Sequence, residues 1–295
     1  LDSSLRWNDK HSYVELTLKR KTRIMITKEQ FDKAKQFIFR HGRLFDRKRF
    51  SFYFENGSRD EVLAALMCYQ NEDGGFGNGL EMDVLCPVSS PICTETAMYY
   101  LEDLGVTEGE VIDHLENWIL SSQQEDGTLP HPMDQVKLYP HGEWWLNDDK
   151  DRVLSIAGLL GRWRRGSEEF FHRVSEYFST QTIPDELGVY NYPLYMYLRY
   201  APGAEKYADS LEQLRSRIPD MLEKTADHYP LFDPHWSDAS DEISKEDLKA
   251  EAAKMVSFLQ DDGGLETAYP DLPWWRPVNT LKALVLLKRY GFLDI

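Results

Sequence analysis

Cysteine is scarce in this chain: Cys68, Cys86 and Cys93 are the only three among 295 residues. So small and odd a set excludes a disulfide framework and fits a reducing compartment, so a cytoplasmic location is expected. Long hydrophobic runs are also missing, and none approaches the roughly 18 residues that cross a bilayer. The opening LDSSLRWNDKHSY lacks the basic-then-apolar order of a secretory signal. Positive charge is in short supply: 34 Lys and Arg stand against 50 Asp and Glu, a net charge of −16. A phosphate backbone needs a basic face, so nucleic acid is not an expected partner. The one basic stretch, LTLKRKTR (16–23), follows the alternation Val14, Leu16, Leu18 and suggests a solvated arm over 1–26, with a short β element possible there. Elsewhere strand-like runs are few and no βαβ rhythm appears.

What the sequence does hold is helix. Thr27-x-x-Gln30, Ser58-x-x-Glu61 and Thr107-x-x-Glu110 have the form of capping boxes. EVLAALMCYQ (61–70) is apolar on every side, which predicts a helix buried all round. EVIDHLENWIL (110–120) instead gathers Val111, Ile112, Leu115, Trp118 and Ile119 on one stripe. The alternation continues: RVLSIAGLLGRW (152–163) and TLKALVLLKRY (280–290) are nearly all apolar or small, whereas SEEFFHRVSEYF (167–178) and EDLKAEAAKMVSFLQ (246–260) are mixed.

Between these segments a turn recurs: YQNEDGGFGNG (69–79), SSQQEDGTLPH (121–131) and FLQDDGGLETA (258–268). Each unit has a helix ending in Gln, an Asp-Gly turn, an irregular loop and an apolar helix. Gly74 and Gly127 lie 53 residues apart, and DELGVYNYPLYMYLRY (185–200) fills part of the longer gap to Gly263 as a degenerate copy. Glycine supplies positive φ at the turn, the Gln and Asp side chains can bond backbone groups left free at helix ends, and Phe76, Leu129 or Leu265 plugs the turn into the core. A helical hairpin repeated in this way buries its apolar face against its neighbours. The expected fold is all-α: a double ring of apolar inner and amphipathic outer helices, in one domain over 27–295.

The pattern resembles the α/α-toroid superfamily of terpenoid cyclases and protein prenyltransferases, whose hallmark is a Gln…Gly-aromatic repeat. Gln70…Gly75-Phe76 matches it, and Gln124…Gly127 and Gln260…Gly264 match more loosely. The resemblance covers the chain from about residue 55 onward and implies a central cavity that holds an isoprenoid. Proton-initiated cyclases carry a P-D-x-D-D-T-A segment where an inner helix begins. Here Pro91-Ile92-Cys93-Thr94-Glu95-Thr96-Ala97 keeps the frame with Glu95 as its one carboxyl, Lys150 interrupts Asp148-Asp149-Lys150-Asp151, and Pro277-Val278-Asn279-Thr280 has no acid. The standard cyclase acid motif is therefore absent. The prenyltransferase zinc pattern is off by one residue at Asp83-x-x-Cys86, with no matching His, so a zinc site is not expected. Mg²⁺ would be implied only for a diphosphate substrate.

Three loops carry the candidate site residues. GNGLEMDVLCPVSSP (77–91) holds Glu81 and Asp83, two carboxylates that could work as a general acid and its partner or simply cap the next helix. HPMDQVKLYPHGEWWLNDDKDR (131–152) brings Trp144 and Trp145 beside His141, Glu143, Asp149, Asp151 and Arg152. ETAYPDLPWWRPVN (266–279) repeats the tryptophan pair as Trp274 and Trp275, now beside Arg276 and Asn279. Asp83, Glu81, Glu95, Asp149 and Asp151 are the candidate catalytic acids. The two Trp pairs, His141, Glu143, Arg152, Arg276 and Asn279 are the candidate substrate contacts. Aromatic walls can hold a prenyl chain, stabilise a carbocation or stack on a sugar, or can merely plug one end of the toroid. Three functions follow as expectations: an isoprenoid enzyme or binder, a carbohydrate-active toroid using paired carboxylates, and a non-catalytic toroid for a ligand or partner. The sequence leaves the oligomeric state open.

Overall fold

The computed structural model describes residues 25–293 of the chain. Of the expected arm over 1–26, only Met25 and Ile26 fall within that span: the Met25 N–H donates to the Phe292 carbonyl (3.0 Å), and Ile26 is buried. The described residues are helical, with isolated antiparallel bridges and no strand among them. In chain order the principal helices are α1 (Lys28–His41), α2 (Leu44–Phe54), α3 (Arg59–Met67), α4 (Pro91–Asp103), α5 (Glu110–Ser122) and α6 (Arg152–Trp163). They continue with α7 (Glu168–Ser179), α8 (Tyr192–Tyr200), α9 (Ala208–Arg215), α10 (Ile218–Lys224), α11 (Lys245–Ser257) and α12 (Trp275–Arg289). The described residues form two compact units within the span that the sequence presents as one domain: 56–226, and those up to 55 together with those from 227 onward.

Two kinds of helix alternate. In α4, α6, α8 and α12 nearly every residue of the apolar segment is buried. In α5 the buried set is Val111, Ile112, Leu115, Trp118 and Ile119, the predicted stripe, and α1, α7 and α11 likewise bury one face. One expectation fails here: α3 buries Val62, Ala65 and Leu66 but leaves Met67 and Cys68 exposed, so it is one-sided rather than buried all round. Capping is likewise mixed. Thr27 and Gln30 form the expected box and Ser58 caps α3 through the Asp60 N–H, but Thr107 caps nothing, because α5 begins at Glu110 behind Gly109.

The Asp-Gly turns share one geometry. Gly74, Gly127 and Gly263 have φ of +92°, +84° and +91°. Asp73, Asp126 and Asp262 each accept from the backbone N–H two residues on, at 3.0, 3.1 and 2.9 Å. The side-chain amide of Gln70 donates to the Gly74 carbonyl (2.9 Å) and across to the Val111 carbonyl of α5 (3.2 Å). In the second turn Gln123, not Gln124, does the same, reaching the Gly127 and Phe170 carbonyls at 3.1 and 3.2 Å. The third turn has Leu259 in that position, while Gln260 corresponds to Asn71 and Gln124. Sequence spacing slipped by one residue because neighbouring amides occur at both places. Phe76, Leu129 and Leu265 are buried plugs as expected.

Each turn glycine presses on a carbonyl of another helix. A Cβ at Gly74 would stand 2.2 Å from the His114 oxygen on α5, one at Gly127 2.4 Å from the Arg173 oxygen on α7, and one at Gly263 2.4 Å from the Lys33 oxygen on α1. The third turn thus docks on the first described helix of the chain, while each earlier turn docks on the second principal helix after it. Positive φ and this approach act together, so Gly263→Ala should destabilise by at least about 3 kcal/mol. Gly105→Ala, where φ is +68° and no atom lies within 4 Å of the added carbon, should cost about 1 kcal/mol from backbone strain alone. Denaturant midpoints of the two variants compare them, and equal shifts would refute the docking constraint.

Candidate functional site

Glu95 points from α4 into the interior, where its side chain has no solvent exposure. A buried carboxylate must be paired, and this one is surrounded by donors. Arg152 Nη1 donates to Oε2 at 2.6 Å, the Tyr192 hydroxyl to the same oxygen at 2.9 Å, and the Ser155 hydroxyl to Oε1. Arg152 sits at the first turn of α6 and also grips Asp149 with a fork, Nε to Oδ2 at 2.9 Å and Nη2 to Oδ1 at 3.0 Å. Its guanidinium lies 5.8 Å from the Trp145 ring centre and 5.6 Å from that of Tyr192. One cation therefore serves two carboxylates between two aromatic faces.

The tryptophan pair is fixed by a third acid. Trp145 Nε1 donates to Asp83 Oδ1 at 2.8 Å and Trp144 Nε1 to Oδ2 at 3.0 Å. Loop 77–91 is brought to loop 131–152 by backbone contacts: the Gly142 N–H donates to the Asp83 carbonyl (2.7 Å) and the Leu85 N–H to the Pro140 carbonyl (3.0 Å), with a bridge between Val84 and His141. His131 closes the group, its Nε2 2.8 Å from the Trp145 carbonyl and its ring 5.8 Å from the indole.

Burial pushes the Asp83 carboxyl above its ordinary range, against the two indole bonds that favour the anion. Burial raises Asp149 as well, against the pull of Arg152, and the Glu95 carboxylate adds to the rise. For Arg152 burial opposes the charge, yet Asp149 and Glu95 outweigh it and hold the guanidinium protonated far above neutrality. Cys93, wholly buried beside this group, has its thiol pushed up to about 12 by burial.

The other predicted residues fall in different places. Glu81 accepts from the Thr96 hydroxyl at 2.7 Å, at the edge of the cluster. Asp151 is exposed and accepts from the Tyr177 hydroxyl (2.6 Å). Glu143 is exposed at the start of the short turn that carries the tryptophans, and His141 Nδ1 meets the Tyr139 carbonyl at 2.6 Å. The third loop belongs to the other compact unit. There Arg276 staples the third turn, bonding both Asp262 oxygens (2.9 and 2.7 Å) and the Leu265 carbonyl (2.9 Å) while its guanidinium lies 4.7 Å from the Phe37 ring centre. Trp275 is buried under Lys282, Trp274 is partly exposed and Asn279 is half-buried. Sequence reasoning missed Ser155, Tyr192 and His131. Ser155 was findable, since Arg152-Val-Leu-Ser155 stands where Pro91-Ile-Cys-Thr94 and Pro277-Val-Asn-Thr280 stand in the other repeats. Among the described residues no group of three or more His, Cys, Asp and Glu is placed to hold a metal ion.

Comparison with protein-family models, curated proteins and solved structures finds no match to this chain.

Two outcomes follow from the buried charges. Arg152→Met should destabilise by about 3–5 kcal/mol, because Glu95 is left buried without its cation, and Glu95→Gln in the same chain should restore part of the loss. A double-mutant cycle by denaturant unfolding checks this, and strict additivity would refute the coupling. The raised Asp83 carboxyl favours the folded state only while protonated, so its contribution is present below the ordinary carboxylate pKa and lost as pH rises through the raised value. Asp83→Asn should therefore gain on the wild type from pH 4 to pH 7 in parallel melting curves, and a constant difference would contradict the assignment.

Proposed function

We propose that the chain is an α/α toroid whose loops 77–91 and 131–152 bind a neutral, lipophilic, isoprenoid-like molecule over the Trp144–Trp145 pair. Two facts support the ring. Buried and one-sided helices alternate, and the third turn docks on α1 as the earlier turns dock on α5 and α7.

The observation that carries the ligand class is an apolar rim. Leu85, Leu138, Tyr139, Trp144 and Leu146 are exposed on these two loops, Leu138 to 78% and Trp144 to 43%. The Leu85–Pro140 bond and the Asp83–Trp144 bond bring the two loops together. A contiguous exposed apolar patch beside a set of buried polar groups marks a binding site for apolar surface. The charge excludes a diphosphate: Arg152 is spent on Glu95 and Asp149, which leaves that trio with a surplus negative charge when both acids are ionised, on a chain of −16. Asp83 anchors the indoles, while Asp149, with 17% of its side chain exposed and its carboxyl raised by burial, is the group suited to exchange a proton with a ligand.

One observation favours a sugar instead: two carboxylates joined by Arg152 stand near a partly exposed indole, the parts a carbohydrate site uses. A thermal-shift panel of squalene-type hydrocarbons, prenyl alcohols, prenyl diphosphates with and without Mg²⁺, and neutral and acidic oligosaccharides separates the two. A lipophile at 100 times its Kd should add about 2.7 kcal/mol, a rise of a few degrees that Trp144→Ala abolishes. A response to oligosaccharides alone would replace the lipophilic reading with the carbohydrate one.

A further inference from the structure

His131 is used by none of the chemistry above. Its Nε2 lies 2.8 Å from the Trp145 carbonyl. A carbonyl oxygen only accepts, so Nε2 carries the hydrogen and the neutral ring has its lone pair on Nδ1. Nδ1 is buried and has no hydrogen-bond partner among the described residues. An orphaned acceptor of this kind loses its solvation on folding with nothing in return, unless something else supplies a donor. It lies beside the indole that Asp83 anchors.

The donors nearby are already engaged. Both indole N–H groups go to Asp83, and Arg152 Nε, Nη1 and Nη2 go to Asp149, Glu95 and Tyr192. What the site lacks is a donor for Nδ1. A diphosphate offers only acceptors and negative charge, and a hydrocarbon offers neither donor nor acceptor. A hydroxyl offers a hydrogen without a charge.

Resting on the lipophilic reading, we propose that the ligand's head group is a hydroxyl that donates to His131 Nδ1, so that the substrate class is an isoprenoid alcohol. The prenyl chain lies against Trp144 and the Leu85–Leu138–Leu146 rim, and the hydroxyl enters towards His131. The site selects by complementing one orphaned acceptor, a discrimination that apolar contacts alone cannot provide.

The test compares farnesol, farnesyl diphosphate and farnesene by tryptophan fluorescence titration of the full chain. Farnesol should bind roughly tenfold tighter than farnesene, the worth of one hydrogen bond to a buried acceptor, with the diphosphate weakest. His131→Phe should bring farnesol to the level of farnesene, and His131→Gln, which restores a carbonyl acceptor, should recover part of the preference. Nitrogen-15 spectra of the free protein should show a hydrogen on Nε2 and a bare Nδ1. Equal binding of alcohol and hydrocarbon, or a preference that survives His131→Phe, would overturn the hydroxyl assignment and leave the lipophilic site standing. The opposite tautomer would overturn it as well. Failure of all three probes to bind would remove the lipophilic reading itself, and this inference with it.

Discussion

The fold rests on one contact made three times, a turn glycine set against the carbonyl of another helix. A side chain at that point would overlap backbone, which cannot move aside as a flexible side chain can. Once the turn is seated, its aspartate closes on the following N–H and its apolar plug is driven into the core. In the first two turns a glutamine amide also ties the turn to the helix it touches. Helix pairs are thereby fixed at a spacing that side-chain packing alone would leave adjustable. The third turn uses α1 as its receiving helix, so residues from the two ends of the described chain share one compact unit.

Within that frame the fully buried helices have room for very few charges. Glu95 is tolerated because Arg152, Tyr192 and Ser155 all donate to it, and Arg152 because Glu95, Asp149 and Tyr192 together accept from it. α4, α6 and α8 each contribute to this knot, so it locks three buried helices together. The approach of α6 to α8 is tight in its own right, with a Cβ at Gly158 falling 2.5 Å from the Met196 oxygen. The knot's chemistry is that of a site whose cation is already neutralised.

Much of the fold was legible in the residues, and the reason is periodicity. The stripe of α5 and the all-apolar run of α6 follow from a helix having 3.6 residues per turn, and neither depends on what surrounds it. EVLAALMCYQ misled because apolar composition reports what a helix can bury, whereas partners decide what it does bury. The Gln124 alignment misled by one residue because two amides adjoin and only their reach distinguishes them. Of the candidate site, Glu95, Asp83, Asp149, Arg152 and the Trp144–Trp145 pair meet in space, while Arg276 proves to be the staple of its own turn.

By itself the sequence determined an all-helical chain of alternating buried and amphipathic helices, the Asp-Gly turns that join them, and an acidic balance of charge. Those properties are local or additive, set by spacing, backbone conformation and charge count. Only the tertiary structure decided that Glu95 and Asp149 share one guanidinium, that Asp83 holds both indoles, and that His131 Nδ1 has no hydrogen-bond partner among the described residues. The Arg152–Glu95 and Trp145–Asp83 pairings join residues 57 and 62 positions apart in the chain, and no sequence period encodes them. They exist because buried polar groups must find partners once packing has shut out water, and which partner lies within reach is settled by where the helices come to rest.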